Sequence, residues 1–469
     1  MSGLYGTLEL GQRAVQTQRQ GIELTGHNIA NVDNPAYARQ RLDVTTGPAT
    51  IGADGFRSAG VTSDRVRQIR NQLLDTNIQE ERSLTSFLEA KRDLLASSRA
   101  ELGPTLLADL AGSGTETVSG LAKEMNALFL KFQDLANDPA SPTHRKELLN
   151  QARNLANTFN DADQRLNQIN QQIDQDLAAQ AAEANSLLGE IANLNQSIET
   201  AENRSASPAN DLRDRRTDKL EKLSQLTALQ TAESANGVMT VLLNGEVMVE
   251  GGNALGAFEI APNAAGNLTA ALVTENGQFA VTLGRLAGPT EARDEVLVPL
   301  QQQLNDLANQ LIDEVNQVHQ NGFDLEGNTG QDFFQGNGAA TIEVNSDLIE
   351  NPGRIQAAAE ANAPGDNRVL QELSRLSEVN HPALANLTFS ERLTTVVGDF
   401  ATAINEAETR LEDQVAIQDL LLRERNAVSG VSIDEEMTHL VKYQNAFEAS
   451  ARLVSVIDEM LQTVVNLGR

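Results

Sequence analysis

Few residues in this sequence have the types and spacing that catalysis or metal binding requires. The five histidines are isolated from one another along the chain: His27, His144, His319, His381 and His439. No two of them have the i, i+4 spacing of a helical metal pair. The sequence has no Cys, which excludes a thiol nucleophile, a disulfide and a zinc–thiolate site. We therefore predict no catalytic histidine and no transition-metal site.

One short loop has the oxygen-rich character of a calcium site. Its candidate ligands are Asp324, Glu326, Asn328 and Asp332. A calcium loop of the EF-hand type needs Gly at its sixth position and Glu at its twelfth. Thr329 and Gln335 occupy these positions, so the pattern favours a turn-rich linker over a metal site.

The sequence also lacks the common motifs of enzymes and nucleotide-binding proteins. G-x-x-x-x-G-K-[ST], G-x-S-x-G and G-x-G-x-x-G are all absent. Carboxylates are abundant, so spacing alone does not exclude an acid–base pair of the glycosidase type. No pair is singled out, however, and an aromatic content of 3% argues against a sugar-binding cleft. We predict that the chain is not an enzyme and binds no cofactor.

Charge and hydropathy exclude two further classes of partner. The 469-residue chain has 36 basic and 65 acidic residues, a formal net charge of -29. Nucleic acid is excluded as a main partner because phosphate binding needs a basic surface. No apolar run approaches the roughly 18 residues of a membrane span, so we predict no membrane insertion. Residues 1–30 also lack the pattern of a cleaved signal peptide.

Both ends of the chain carry apolar stripes with the spacing of a coiled coil. Steps of four and three residues place one set of side chains on a single face of an N-terminal helix: Leu4, Leu8, Val15, Ile22 and Ile29. A matching C-terminal set is Leu440, Tyr443, Phe447, Val454, Ile457 and Leu461. Ser432 and Glu435 predict a capping box at the start of the C-terminal helix. We interpret the two stripes as an assembly interface; the alternative is that each packs into a private core.

Further long helices and one β-region lie between these ends. Helical patterns cover residues 64–101, 116–137, 293–320 and 390–428, and the longest begins at Ser141 and Pro142 and continues to about residue 198. Asn-Gly pairs at 244–245 and 276–277, between alternating apolar runs, indicate β-hairpins. The predicted fold is mainly α with a small inserted β-domain (α+β).

These elements suggest three domains. Residues 1–60 with 430–469 would form a terminal helical domain, and residues 61–230 with 291–429 a helical rod. Residues 231–290 would form a small β-domain that projects outward from the rod.

Residues 25–40 carry the most specific motif, T-G-H-N-I-A-N-V-D-N-P-A-Y-A-R-Q. It resembles the N-terminal signature of the flagellar rod, hook and hook-associated protein family, roughly N-I-A-N-x-x-T-P-G-Y-S-R-Q. The matching positions are Asn28, Ile29, Ala30, Asn31, Pro35, Tyr37, Arg39 and Gln40. Ala36 replaces the usual Gly, which requires an ordinary backbone conformation at this position.

Other segments resemble the hook-associated protein 1 branch of that family. They are M-S-G-L-Y-G at residues 1–6, N-D-L-R-D-R-R at 210–216, the Gly-rich linker at 321–334, and S-G-V-S-I-D-E-E at 429–436. The inserted middle region is short for this branch.

The resemblance implies a structural role in the bacterial flagellum, at the junction between hook and filament. Members of the family pair their terminal helices as the inner layer of a tube and leave the cell uncleaved through the flagellar type III export apparatus. The implied partners are hook protein, hook-associated protein 3, further copies of the chain in a ring, and an export chaperone on the C-terminal helix. The implied location is extracellular.

Three other interpretations remain open. The chain could be another axial protein, namely hook-associated protein 3, a rod protein or a hook protein. It could be a secreted adhesin that binds through the region 231–290. A wall hydrolase carried by the flagellum is a third, and would need a nucleophile or an acid pair in a cleft.

Overall fold

The computed structural model describes residues 2–47, 50–52, 55–57, 60–106, 120–205, 207–234 and 236–467. Most of these residues are helical. The helices are α1 (Ser2–Ala30), α2 (Gln72–Leu106), α3 (Leu121–Asn137), α4 (Pro142–Ser205), α5 (Asn210–Leu226), α6 (Gly288–Ala292), α7 (Val298–His319), α8 (Ser346–Glu350), α9 (Arg368–Arg375), α10 (Phe389–Ser429) and α11 (Ile433–Leu467).

The strands are short and form small antiparallel sheets. They are β1 (Gln40–Thr46), β2 (Thr50–Gly52), β3 (Gly55–Arg57), β4 (Val61–Gln68), β5 (Gln230–Glu233), β6 (Met239–Leu243), β7 (Glu246–Glu250), β8 (Asn253–Ala254), β9 (Ala257–Pro262), β10 (Leu268–Thr274), β11 (Gly277–Ala280), β12 (Phe334–Gln335) and β13 (Glu343–Val344). The predicted fold class, mainly α with a small β-region, is confirmed.

The helix α4 is the axis of the rod. It has 64 residues, a length of about 95 Å, and it begins at the predicted Pro142. Its apolar stripe is buried along most of its length, from Leu148 to Ile198. Helices α3, α5 and α2 pack against it. The long helix therefore organises one continuous core, because each neighbour buries its own apolar face against the same stripe.

The end of the rod far from the chain termini is held by a cluster of aromatic rings. Phe129 stacks on Phe389, with ring centroids 5.9 Å apart. Phe132 packs on Phe333 at 5.3 Å, and Phe333 on Phe334 at 4.9 Å. The chain thus concentrates several of its few aromatic residues where α3, α10 and the Gly-rich linker meet.

Two buried side chains, Arg145 and the uncharged imidazole of His319, hold the irregular region between α7 and α9 against the rod. Arg145 is 1% exposed and donates hydrogen bonds to backbone carbonyls of Pro139 and Ile355, both at 2.8 Å. His319 is fully buried, with Nδ1 2.7 Å from the carbonyl oxygen of Gln331. Because these groups bind backbone carbonyl oxygens that no helix or sheet satisfies, they fix a segment that lacks regular secondary structure.

The suspected calcium loop is a turn closed by its own aspartate. Asp324 Oδ1 accepts hydrogen bonds from the backbone N–H groups of Glu326 and Asn328, both at 2.8 Å. Within the described ranges, no group of three or more His, Asp or Glu side chains is arranged to hold a metal ion. The structure therefore agrees with a turn-rich linker at this position.

The predicted β-hairpins are present between residues 230 and 280. The β6–β7 turn has Asn244 at φ 52° and Gly245 at φ 83°, as a hairpin of type I′ requires. Four strands form the sheet β5-β6-β7-β8, and three form β11-β10-β9. Their buried side chains, including Val241, Met248 and Phe258, belong to the same hydrophobic core as α4. The strands therefore pack along the rod; their assignment to a separate domain stays a prediction.

The predicted helix at 64–101 is wrong at both ends. Residues 61–68 form β4, which pairs with β1, and α2 begins only at Gln72. At the other end α2 passes Pro104 and ends at Leu106. Pro104 has no N–H for the carbonyl oxygen of Ala100, and because Ala100 is exposed, water can bind this oxygen near the helix end. Part of the predicted helix 116–137 lies outside the described residues, and α3 begins at Leu121.

The helix predicted at 293–320 also differs in its first turns. Helical structure begins at Gly288, and residues Arg293–Leu297 form a π-helical turn before α7. The hairpin β1–β4 was not predicted at all. Its strands hold many polar and charged residues on their outer face, so the apolar alternation that indicates a strand is weak.

Candidate assembly surface

The two chain ends form one antiparallel helix pair. Gly11 of α1 faces Val454 of α11, and Gly21 faces Tyr443. A Cβ atom on Gly21 would lie 2.7 Å from the Tyr443 ring, and one on Gly11 would lie 2.8 Å from Val454 Cγ2. The two helices therefore approach closely because these α1 positions lack side chains.

The structure brings the two predicted stripes together. The α1 residues Leu4, Leu8, Val15, Ile22 and Ile29 are half-buried. On α11, Leu440, Tyr443, Phe447, Val454 and Leu461 are half-buried, and Ile457 is 3% exposed. Helix α11 packs along its length on α1, so within one chain these residues hold the pair together. Their contact with other subunits stays a prediction.

A second apolar face of α11 points away from α1. Its exposed side chains are Ile433, Met437, Val441, Val456, Met460 and Val464. They recur in steps of four residues on either side of a polar middle, and Val441 is 51% exposed. We call this set the outer face of α11. Val464 continues the predicted stripe from Leu461, whereas Ile433, Met437, Val441, Val456 and Met460 lie between its heptad positions and follow steps of four instead.

The family signature forms a buried hydrogen-bonded hub at the base of the helix pair. Asn28 is 2% exposed. Its Nδ2 donates to the carbonyl oxygen of Gln40 at 2.9 Å and to Glu436 Oε2 at 3.0 Å. Its Oδ1 accepts from the Tyr37 hydroxyl at 2.6 Å and from the Gln40 N–H at 3.1 Å. One amide therefore uses both donors and both acceptor positions to join α1, the signature turn and α11.

Arg39 connects the signature to the junction of α10 and α11. Its Nε donates to Glu436 Oε1 at 2.8 Å, and its Nη1 donates to Glu435 Oε2 at 2.7 Å. The Arg39 backbone N–H donates to the carbonyl oxygen of Ser429 at 2.9 Å. Glu435 was predicted to cap α11 with Ser432; the structure shows it paired with Arg39. The side chain of Glu436 is 3% exposed and that of Glu435 is 60% exposed.

A second layer of contacts ties the signature to the rod. Arg70 donates to the carbonyl oxygen of Ala36 at 2.8 Å and lies 3.3 Å from Asp214 Oδ1. Gln68 Nε2 donates to the same Asp214 oxygen at 2.8 Å, and Asn210 Nδ2 donates to Gln40 Oε1 at 3.2 Å. The terminal pair is therefore anchored to α5 through side chains and not only through chain connectivity.

Burial shifts two acidic groups of this region toward their neutral forms. Burial raises the pKa of Asp214 to about 7, against the opposing effect of Arg70. Burial, followed by the charges of Asp214, Asp211 and Glu436, raises the pKa of Tyr37 far above its ordinary value. The Tyr37 hydroxyl therefore keeps its proton and serves as the donor to Asn28.

The signature residues divide into two groups in the structure. Asn28, Tyr37, Arg39 and Gln40 make the hub contacts. Asn31 Nδ2 donates to the carbonyl oxygen of His27 at 2.9 Å, and the exposed Ala30 and Pro35 lie at the helix end and in the following turn. Ala36 has no positive φ, which confirms the expected ordinary conformation.

The partners that the rod supplies to the signature were not predicted from the sequence. Asn210 and Asp214 lie in the N-D-L-R-D-R-R segment, and Arg70 follows β4. The N-D-L-R-D-R-R segment resembles the same family, and this resemblance was the available signal that Asn210 and Asp214 belong to the site. Its spatial relation to the signature depends on the unpredicted hairpin β1–β4.

Comparisons with known proteins agree with this architecture. The family model described as the helical domain of flagellar hook-associated protein FlgK matches residues 109–334. The model of the C-terminal region of flagellar basal body rod FlgEFG proteins matches residues 425–467. Among the described residues, no helix combines the length and apolarity needed to cross a membrane.

Full-length relatives and a solved structure are also similar. Flagellar hook-associated protein 1 of Bacillus subtilis is 25% identical and aligns over 99% of both chains. The protein of the same name from Salmonella typhimurium is 21% identical over 100% of both chains. The flagellar hook junction protein FlgK of Burkholderia pseudomallei has a similar fold, with a TM-score of 0.63 and 16% identity, over 76% of this chain and 100% of that one. The chain is therefore similar over its full length to flagellar hook-associated protein 1, and its helical and C-terminal regions match flagellar family models.

Proposed function

We propose that the chain is a structural subunit of the bacterial flagellum that forms the junction between hook and filament. One observation carries this proposal: both chain termini are paired and anchored by the signature hub, while the outer face of α11 stays uncovered. Exposed apolar patches on a long surface helix are typical of a protein-binding surface. The described contacts within the chain leave this face for other subunits.

The same arrangement supports a role in assembly and not in catalysis. Asn28 uses all four of its hydrogen-bonding positions within the chain. Side chains bound to one another in this way fix the geometry of the helix pair. The protein is accordingly not an enzyme and needs no cofactor.

The partners follow from the position at a junction. Further copies of the chain complete a ring around the tube axis, hook protein lies on one side, and hook-associated protein 3 on the other. The predicted interface residues of α1 and α11 shape the pair, and the outer face of α11 contacts the neighbours.

Export precedes this assembly. The chain leaves the cell through the flagellar type III apparatus and functions outside it. Before export, an apolar face such as that of α11 needs cover, because exposed apolar patches promote aggregation. A cytoplasmic chaperone on the C-terminal helix supplies that cover.

Deletion of the gene tests the proposal directly. Electron microscopy is expected to show hooks without filaments, with filament protein released into the medium. Normal filaments with a loss of surface attachment would overturn the proposal in favour of an adhesin, and absence of hooks would favour a rod or hook protein.

A second experiment separates the chain from hook-associated protein 3, whose loss also leaves bare hooks. Hooks are purified from cells that lack hook-associated protein 3 and are probed for this chain. The chain is expected to remain on these hooks, since the junction protein adds first. Its absence would assign it to the later position.

A further inference from the structure

The hairpin β1–β4 carries a basic surface in a strongly acidic chain. Arg41 and Arg67 are directly opposite each other across the two strands, and Asp43 is opposite Arg65. These four positions share one face because residues two apart in a strand point the same way. Like charges directly opposite each other destabilise a sheet. The hairpin therefore places three arginines around one carboxylate, and repulsion between the arginines lowers the stability of the monomer.

These arginines are available to a partner. The side chains of Arg65 and Arg67 are 60% and 59% exposed, and both rely on Asp43, at 3.8 and 3.4 Å. Arg41 is exposed and has no ion-pair partner among the described residues. The chain as a whole has a net charge of -29, so a basic surface of this size is a local exception.

An apolar side chain borders the basic surface. Leu73 at the start of α2 is 72% exposed. A cleft of about 640 Å³ is lined in part by Arg65, Arg67 and Leu73. We call the three arginines and Leu73 the basic hairpin surface. Its mixed character fits a protein partner that is both acidic and apolar.

One segment of the same chain has the complementary composition. On α10, residues 412–420 expose Glu412, Asp413, Val415, Ile417, Asp419 and Leu420. Leu420 is 64% exposed, and none of the three carboxylates has an ion-pair partner among the described residues. We call this segment the acidic α10 surface.

The two surfaces lie at the same end of the rod. Gln414 hydrogen-bonds Glu81 of α2, and α2 begins at Gln72, a few residues after β4. The acidic α10 surface thus runs beside the first turns of α2, at the end that carries the hairpin. Two complementary surfaces at one level of a molecule can meet between copies that are related by rotation about an axis.

We propose that the basic hairpin surface of one copy binds the acidic α10 surface of a second copy. The contact is heterologous, with a different surface on each side, so its repetition by a rotation that closes gives a ring. This inference rests on the proposed function, because the ring forms in the assembled flagellum, and it names which surfaces make the lateral contact. Arg41 and Arg67 face Glu412 and Asp413, while Leu73 and Leu420 supply apolar contact.

Site-directed cross-linking tests the contact, helped by the absence of native Cys. A chain with both Arg67→Cys and Asp413→Cys is expressed in place of the natural one, and isolated flagella are treated with a short bismaleimide. A ladder of multimers that contain only this chain is expected. Chains with one of the two substitutions are expected to give no ladder.

A matched control uses another exposed acidic residue in place of Asp413. The pair Arg67→Cys and Glu275→Cys places the second thiol in the β10–β11 turn, and no ladder is expected. Absence of multimers for the first pair, an equal ladder for the control pair, or cross-links to a different protein would each overturn the inference. If the cysteine variants still swim, the proposed junction function stands even when the contact fails.

Charge reversal gives an independent readout. Arg41→Glu with Arg67→Glu is expected to reduce swarming strongly, and adding Glu412→Arg with Asp413→Arg is expected to restore it. The melting temperature of each purified variant is measured as a control, because the reversal replaces the Arg67–Asp43 ion pair with neighbouring carboxylates. The rescue compares two variants with the same changed hairpin, so this loss is common to both. No rescue by the combined reversal would overturn the pairing.

Discussion

At the signature, a single buried amide joins three segments of the chain. Asn28 is bonded to the Tyr37 hydroxyl, to both backbone groups of Gln40 and to Glu436. Each of these bonds forms between groups withdrawn from water, so the loss of one partner leaves another unsatisfied. This mutual dependence gives a physical reason for the signature: Asn, Tyr, Arg and Gln are each required by a neighbour.

The two adjacent glutamates that bind Arg39 provide a matched test of this hub. Glu436→Ala is expected to destabilise the docking of α11 by about 2–3 kcal/mol, because Arg39 and Asn28 lose a buried acceptor. Glu435→Ala is expected to cost under about 0.5 kcal/mol, because exposed ion pairs contribute little. Limited proteolysis of α11 in the purified chain measures both. Equal effects of the two substitutions would show that burial does not decide the strength of the hub.

His319 is expected to make the linker sensitive to acid. Its Nε2 accepts from the Gln356 N–H at 3.0 Å, so Nδ1 carries the proton and donates to Gln331. Burial lowers the pKa of His319 from 6.5 to about 4. Between these values the unfolded chain binds more protons than the folded one, so stability falls as pH falls.

The predicted consequence is a stability difference that depends on pH. Comparison with His319→Gln removes the contribution of the many carboxylates, which both proteins share. The natural chain should exceed the variant in melting temperature at pH 7.5. That advantage should shrink by roughly 2 kcal/mol between pH 6.5 and pH 5. Thermal denaturation of both proteins at the two pH values measures this difference in stability. The same difference at both pH values would contradict a neutral buried imidazole at His319.

Among the elements, the long helices were predictable and the hairpin β1–β4 was not. The helices α1, α4, α10 and α11 keep one apolar period over many turns, which is the strongest signal in a single sequence. In β4, Arg65-Val66-Arg67 alternates, but its charged face hides the strand. The strand exists because β1 pairs with it, and such tertiary pairing leaves little trace in local sequence.

The hub shows the same division between local and non-local information. The motif at residues 25–40 was evident in the sequence, whereas its partners Arg70, Asn210 and Asp214 are brought to it by the fold. Asp214 is more than 140 residues away from Gln68, to which it is hydrogen-bonded. Sequence spacing does not encode that contact.

Two glycines of α1 offer a prediction about the helix pair. Gly21 faces the Tyr443 ring, whereas Gly26 has nothing within 4 Å of a built Cβ atom. Gly26→Ala is expected to stabilise α1 by about 0.5–1 kcal/mol, as an alanine does in a helix interior. Gly21→Ala has the same helix propensity gain but displaces Tyr443, so it is expected to loosen α11.

Protease sensitivity of α11 in the isolated chain distinguishes the two glycine variants. Faster trimming of α11 in the Gly21→Ala variant, with natural or slower trimming in the Gly26→Ala variant, is the expected result. Equal protection in both variants would show that close approach at Gly21 is not needed for pairing.

At the scale of the whole molecule, the rod has a buried hydrophobic core, whereas the terminal helix pair has an exposed apolar face. The rod buries one continuous core along α4, while the terminal pair packs chiefly on itself and leaves the outer face of α11 in water. An isolated helix pair is of marginal stability. We therefore expect the purified chain to be a monomer whose ends are trimmed by protease before the rod.

Phe447 and Val441 distinguish pairing within the chain from contact between chains. Phe447 is half-buried in the helix pair, whereas Val441 is 51% exposed on the outer face. Phe447→Asp places a charge against apolar neighbours at a cost of about 2 kcal/mol or more, so α11 should be trimmed faster in the isolated chain. Val441→Asp should leave the isolated chain unchanged, because its carboxylate stays hydrated there.

Both substitutions should stop motility, since the first spoils the pair and the second places a charge in the contact between neighbouring subunits. Secreted protein in the medium must be measured for each, because weaker chaperone binding to α11 would lower export and imitate failed assembly. A Val441→Asp chain that is secreted, folded and fully motile would show that the outer face does not join subunits. The uncovered apolar side chains would then need a partner before export, and the chaperone would be the one they fit.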